Sequence, residues 1–235
     1  MSEDKMRPDA VPTGYGSVRE WNEAMVDRYD IDRYYEQSHA LVRWIEARRI
    51  AVLRRFASAR PGDRILEVGC GAGHVLAAFD GLDRTGVDLS TTMLARARRR
   101  LGAGVRLLQG SAEKLPCGNA SFDVVLCTEV LEHTVAPEQV IRELMRVAAP
   151  GARVVVSIPN ESTIDRAKRL IRRLPVARSL LRTVAAEGNE WHLHHLDRAA
   201  LQRMTAGAAT IKRLQGVPSN LLAARYVALL GHVDG

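Results

Sequence analysis

The chain has 235 residues, 46% of them hydrophobic and 26% charged, a composition that builds a globular core and excludes intrinsic disorder and a scaffold dependent on disulfide staples. Its formal charge of +7 is scattered through helices such as Arg96 to Arg100, which disfavours nucleic acid as a partner, because phosphate binding needs a contiguous basic face. Cys70, Cys117 and Cys127 form no C-x-x-C pair, and no stretch approaches the ~20 apolar residues that span a bilayer, so a reducing cytoplasm is the expected compartment.

Residues 1–17 mix charge, proline and glycine without periodicity and read as a loose arm. Residues 18–60 read as an N-terminal helical cap of two helices between Trp21 and Phe56. The second places Leu41, Trp44, Ile45, Arg48 and Val52 at intervals of three or four. Tyr29, Tyr34, Tyr35 and Trp44 either pack this cap down or form a lid over a substrate.

Pro61 and Gly62 open the main domain, 61–235, in which strands at 64–68, 85–87, 105–108, 123–127 and 153–158 alternate with helices such as 91–101 and 137–148. Residues 209–217 read as a further strand and 224–232 as strand or helix. The alternation predicts an α/β fold: a Rossmann-like, doubly wound, mostly parallel seven-stranded sheet. Within it, 162–187 form a basic amphipathic insertion in which Arg166, Lys168, Arg169 and Arg172 intersperse Ile164, Leu170 and Ile171. This stretch is either a solvated lid or a peripheral contact with an anionic membrane, and Pro175 breaks it into two short helices. Asp197 reads as the N-cap of a helix through Leu201 and Met204.

The residues that carry chemistry begin at Ile65 to His74, where glycines alternate at the point at which a buried strand is expected to turn into a helix and let backbone approach a ligand closely. The pattern departs from the NAD fingerprint, because Gly73 comes one residue early and Glu67 precedes the first glycine. Asp88 ends the second strand, where a carboxylate accepts hydrogen bonds from both hydroxyls of a ribose and so suits an adenosine cofactor. Glu129, Glu132 and His133 follow the fourth strand at i, i+3 and i+4, spacing that shares one helical face.

Taken together, E-V-G-C-G-A-G (67–73), G-V-D-L-S (86–90), G-S-A-E-K-L-P (110–116), S-F-D-V-V-L-C (121–127) and E-V-L-E-H (129–133) resemble the successive motifs of class I S-adenosylmethionine-dependent methyltransferases. The resemblance runs in family order from about Asp63 to Asn160 and is strongest to methyltransferase type 11 and ubiquinone-biosynthesis O-methyltransferases. It implies that Glu67, Gly69, Gly71 and Gly73 line the methionine part of the cofactor, that Asp88 holds the ribose, and that Leu89 and Met93 flank the base. Ser111, Ala112 and Glu113 would border the adenine, with Cys127 among the cofactor-binding residues. The family most often has aspartate where Ser111 stands.

In the quinone-pathway enzymes E-x-x-E-H holds magnesium, which implies Glu129, Glu132 and His133 as metal ligands. The same residues also read as active-site wall without metal, with His133 as general base. In the cluster 191–195, His192 or His194 reads as a base or acceptor-binding group, with zinc and plain polar packing as alternatives. The resemblance implies methyl transfer to a small molecule, foremost O-methylation of a hydroxylated or phenolic, lipophilic metabolite. The alternatives are N- or C-methylation of a secondary metabolite or lipid; nucleic-acid modification ranks lower because no N-P-P-Y type segment follows the fourth strand.

Overall fold

The computed structural model describes residues 14–29, 31–172 and 191–233. At its centre lies β1 (Arg64–Val68), in which Ile65, Leu66 and Val68 are fully buried; a strand covered on both faces carries an unbroken apolar run. It pairs in parallel with β2 (Asp83–Asp88) on one side and β4 (Phe122–Thr128) on the other. The parallel strands β3 (Arg106–Gln109) and β5 (Ala148–Pro159) lie beyond these. β6 (Thr210–Val217) and β7 (Arg225–Gly231) form an antiparallel hairpin whose second strand inserts beside β5.

The order is β3-β2-β1-β4-β5-β7-β6, the doubly wound, mostly parallel α/β sheet that the alternation predicts. Residues 225–231, open between strand and helix on sequence, are strand because Val227, Ala228 and Leu230 are buried in the sheet against β5.

Two helical layers cover the sheet. Leu66, Val68, Val125 and Cys127 face a core shared with Ile141 and Leu144 of α5 (Pro137–Val147) and Leu201 of α7 (Arg198–Thr205). Ile65, Val124 and Leu126 face the opposite core with Leu53 and Phe56 of α3 (Ala40–Ala57). This is the period-two alternation of a strand expressed as two cores. α4 (Thr91–Leu101) starts where the Ser90 hydroxyl accepts from Met93 N, and α7 starts where the Asp197 carboxylate accepts from Ala200 N. Each cap satisfies an otherwise orphaned donor and contributes about 1 kcal/mol.

Three expectations need correction. Between Trp21 and Phe56 the chain makes three helices, α1 (Val18–Arg28), α2 (Ile31–Gln37) and α3. Tyr29 turns extended at the end of α1, and α3 begins afresh at His39, whose ring nitrogen accepts from Leu41 N at 3.3 Å. On α3 the buried face runs through Glu46, Arg49, Val52, Leu53 and Phe56, whereas Leu41 and Trp44 are half exposed; the apolar periodicity pointed one position away because the true face contains a charged pair. Finally, the glycine loop enters no α-helix. A single 3-10 turn, Leu76–Phe79, follows, because only a short segment separates the loop from β2.

α6 (Glu161–Arg172) is the described part of the basic insertion; residues 173–187, with Pro175, lie outside the described residues. No helix among the described residues is long and apolar enough to cross a membrane.

Candidate active site

At the carboxyl ends of β1, β2, β4 and β5 lies a cavity of about 810 Å³, where a doubly wound sheet binds its ligands at the reversal of strand order. Its floor is the glycine loop. Gly69 has φ +67°, and a Cβ there would lie 2.3 Å from Val130 Cγ2, so the loop is pressed against the exit of β4. Gly71, at φ +49°, borders the cavity and a Cβ on it would meet nothing within 4 Å. Its bare backbone leaves room for a ligand. Gly73 is not part of the lining; it closes the loop against Leu101 of α4.

Asp88 joins the glycine loop to the turn after β2. One carboxylate oxygen accepts from Gly71 N at 2.8 Å and the other from Ser90 N at 2.9 Å. A carboxylate offers about four acceptor sites, so each oxygen retains capacity for a ribose hydroxyl. Burial pushes the Asp88 pKa up, against these two hydrogen bonds.

Glu67 is fully buried at the head of β1. One oxygen accepts from Thr128 Oγ1 at 3.4 Å, the other has no partner within the protein, and burial raises the pKa to about 8. An orphaned buried acceptor marks the place of a missing donor. The cationic methionine portion of S-adenosylmethionine fits it.

Ser111 donates its hydroxyl to the Glu113 carboxylate and accepts from Glu113 N at 3.1 Å, while Glu113 also accepts from Val135 N at 3.1 Å. The charge that the family usually places at position 111 therefore stands one step back, on Glu113. Leu89 and Ala112 line the cavity, as does Met93, which is buried against Val26 and Ala72. Cys127 does not line it. Its side chain is fully buried in the core, because the strand pleat turns that residue away while Thr128 faces the cavity. The lining carries eight carboxyl groups and four guanidinium groups, so acidic groups predominate there in spite of the chain's positive charge, although burial raises Glu67, Asp88 and Glu132.

The far end of the cavity is polar. Glu129, Glu132 and His133 do not form the common helical face that their spacing predicts. Glu129 sits at φ +55°, ahead of a 3-10 turn over Leu131–His133. Its carboxylate pairs with Arg225 at 2.8 Å and accepts from Ser157 Oγ at 2.8 Å. Magnesium on Glu129, Glu132 and His133 therefore does not fit, because the first carboxylate is already committed elsewhere.

Glu132 and His133 meet His192 instead, with one ligating atom of each within 4.8 Å of the others. Burial, with the nearby Glu129 charge, drives the Glu132 carboxyl well above the usual carboxylate range. Enclosure, then the charge of His192, lowers His133 to about 3. His133 is consequently a neutral ring, with Nδ1 2.9 Å from the Trp191 carbonyl. His192 Nδ1 is hydrogen-bonded to Glu161. His194 is not part of the lining; its Nε2 bonds the Thr134 carbonyl at 2.8 Å and ties the segment down.

Several lining residues escaped sequence reasoning. Arg49 is fully buried and donates to Glu46 at 2.8 Å, to Tyr35 Oη at 2.7 Å and to Ser157 Oγ at 3.3 Å. Arg225 approaches Glu46 at 3.4 Å besides pairing with Glu129. The only local signal was Glu46-x-x-Arg49 on the core face of a helix, and nothing in the sequence says that Arg225 joins it. From above, α1 and α2 clasp the glycine loop and the start of α4. Glu23 accepts from Ser90 Oγ and Thr91 N, and Asp32 binds His74 at 2.9 Å and Arg100 at 2.8 Å. Tyr35 stacks on His74 with centroids 4.2 Å apart.

Residues 66–156 match the family described as Methyltransferase domain. The ubiquinone biosynthesis O-methyltransferase of Pseudomonas putida (strain GB-1) is 32% identical over 154 residues, covering 60% of this chain and 61% of that protein. The demethylmenaquinone methyltransferase of Beutenbergia cavernae is 37% identical over 101 residues, 42% of each chain. The chain thus spans less than two thirds of the length of these curated relatives. Among solved structures, a SAM-dependent methyltransferase from Aquifex aeolicus superposes with a TM-score of 0.61 at 17% identity, over 89% of this chain and 98% of that one, a likeness of fold. In its motifs, its sheet order and these relatives, the chain is similar to class I S-adenosylmethionine-dependent methyltransferases, and its residues 66–156 match their domain.

Proposed function

We propose that the chain methylates an oxygen of a small, hydroxylated or phenolic acceptor. The observation that carries this reading is that one cavity contains both the cofactor loops and a polar end built of Glu132, His133 and His192. When bound, S-adenosylmethionine supplies a methyl group made electrophilic by its sulfonium. The chain's part is alignment. Asp88 fixes the ribose, the glycine loop and Glu67 the methionine end, and the polar end receives and orients the acceptor's hydroxyl, whose proton is lost as the ether forms. The quinone-pathway relatives favour a phenolic or quinol acceptor.

The test is a panel of phenols, catechols and quinols incubated with cofactor carrying a labelled methyl group. An ether product supports the proposal, whereas label found on nitrogen or carbon replaces it with the alternative acceptor class.

Glu67 makes a pH-dependent prediction. With its folded pKa near 8 and an ordinary value of 4.5, the carboxyl is protonated at pH 7 and must ionise beside a bound cation. Cofactor binding should therefore release a proton, and affinity should rise with pH until about 8. The same upward shift means that stability is lost as pH climbs from about 4.5 to 8. At pH 8 Glu67→Gln should melt higher than the unaltered chain yet bind cofactor about tenfold more weakly, and a lower melting point in that variant would contradict the assignment.

A peripheral contact with anionic membrane is a second reading, favoured by exposed apolar residues at this end of the molecule. Leu221 is 91% and Leu222 65% exposed in the connection entering β7. On α6 Arg166 and Arg169 are exposed while Ile164 lines the cavity. Co-sedimentation with anionic vesicles at low salt, lost at high salt and in Leu221→Asp/Leu222→Asp, is the expected result. No pelleting at low salt would remove this reading.

A further inference from the structure

We infer that Glu132, His133 and His192 form a binding site for a transition-metal dication of the zinc class, in place of the magnesium that the E-x-x-E-H spacing suggests. The site deepens the acceptor reading of the cavity's polar end and rests on it only for the metal's use. Three observations carry the inference independently of activity.

First, among the described residues these three form the group of His, Cys, Asp or Glu side chains whose ligating atoms come within 4.8 Å of one another. They arrive from two separate segments, the turn after β4 and the stretch before α7. Second, Glu132 is 1% exposed, and one of its carboxylate oxygens has no hydrogen-bond partner. A carboxylate in that state is missing a cation or a donor.

Third, both rings are held as metal-binding histidines usually are. A carbonyl oxygen only accepts, so in the 2.9 Å contact between His133 Nδ1 and Trp191 O the Nδ1 is the donor, and Nε2 is the nitrogen left to ligate. His192 Nδ1 likewise bonds the Glu161 carboxylate, which also accepts from Leu196 N at 3.0 Å and is thereby fixed. A ligating imidazole typically hands its second N–H to a carbonyl or carboxylate in this way, which orients the ring and raises its basicity.

The donor set selects the metal. Magnesium takes oxygen ligands in near-ideal octahedral geometry, whereas two imidazoles and one carboxylate suit zinc, cobalt and nickel. Glu129, the second carboxylate that magnesium would draw on, is bound to Arg225 and Ser157. Three protein ligands at the wall of a cavity leave an open position, the mark of a catalytic rather than a structural centre. An acceptor hydroxyl taking that position would ionise more readily.

The test uses the full chain without an affinity tag, stripped with chelator and titrated with cobalt(II). Cobalt should bind one per chain with visible d–d absorption, be displaced by zinc, and be untouched by millimolar magnesium. His192→Ala and Glu132→Gln should each weaken cobalt binding at least about 10-fold, while Glu129→Gln should leave it unchanged. Absence of the cobalt spectrum in chain that still binds S-adenosylmethionine would overturn the site, as would cobalt binding that survives both variants or is lost in Glu129→Gln. Methyl transfer at full rate by metal-free chain would leave the proposed function standing and refute only a catalytic use of the metal.

Discussion

Asp88→Ala is expected to weaken S-adenosylmethionine binding by about 100-fold or more, measured by isothermal titration beside the unaltered chain. Hydrogen bonds to a charged group contribute roughly 1.5 to 3 kcal/mol each when water is excluded, and about 2.7 kcal/mol is a factor of 100. Two effects add in this variant. The ribose loses its acceptor, and the donors Gly71 N and Ser90 N lose the oxygens that now receive them at 2.8 and 2.9 Å. Asp88→Asn separates the two, because its single amide oxygen can keep one backbone donor while its NH2 group faces the other. It should bind more weakly than the unaltered chain while melting closer to it than Asp88→Ala does. Cofactor affinity unchanged in Asp88→Ala would remove the residue from the cofactor site, and with it the central argument about how the loops cooperate.

Arg49→Met should destabilise the fold by about 3 to 5 kcal/mol, the usual cost of leaving one member of a buried ion pair without its partner. For a chain of this length such a loss lowers the melting temperature by on the order of 10 °C. Arg49 is fully buried, and its removal strands Glu46 in the same interior. Arg225, 3.4 Å away, already serves Glu129 and cannot fully replace it. The double variant Glu46→Leu/Arg49→Met removes both charges and should recover most of the loss, as well-packed apolar residues often do in place of a buried pair. A single variant costing under about 1 kcal/mol would mean that water reaches the pair and that this wall of the cavity is wet.

These two residues show where local information sufficed and where it did not. Asp88 was legible because everything it needs is nearby in sequence: an apolar strand, a strand end, and glycines some twenty residues before it, which the parallel pairing of β1 with β2 brings alongside. The alternation of strands and helices, the caps at Ser90 and Asp197, and the glycine loop were legible for the same reason, since periodicity, capping and left-handed backbone depend on neighbours in the chain. Arg49 was not. Its burial depends on α3 packing across the sheet, and its partners Tyr35 and Ser157 lie 14 and 108 residues away.

The same distinction decides the polar end. The spacing Glu129, Glu132, His133 presumed a helix, and a helix there would have given one face to all three. The backbone instead turns left-handed at Glu129 and tightens to a 3-10 turn, while Arg225, from the hairpin that completes the sheet, takes up the Glu129 carboxylate. The segment 191–195 then returns to the cavity, and Leu193 N donates to the Glu132 carbonyl at 2.7 Å, which places His192 beside His133. By itself the sequence determined the fold class, the glycine loop at the exit of β1 and the place of Asp88 at the end of β2, because those rest on local periodicity and turn chemistry. Only the tertiary structure decided which charges pair, which buried carboxyl oxygens of Glu67 and Glu132 lack a partner and which histidines face the cavity, because each of these depends on residues that chain connectivity leaves far apart.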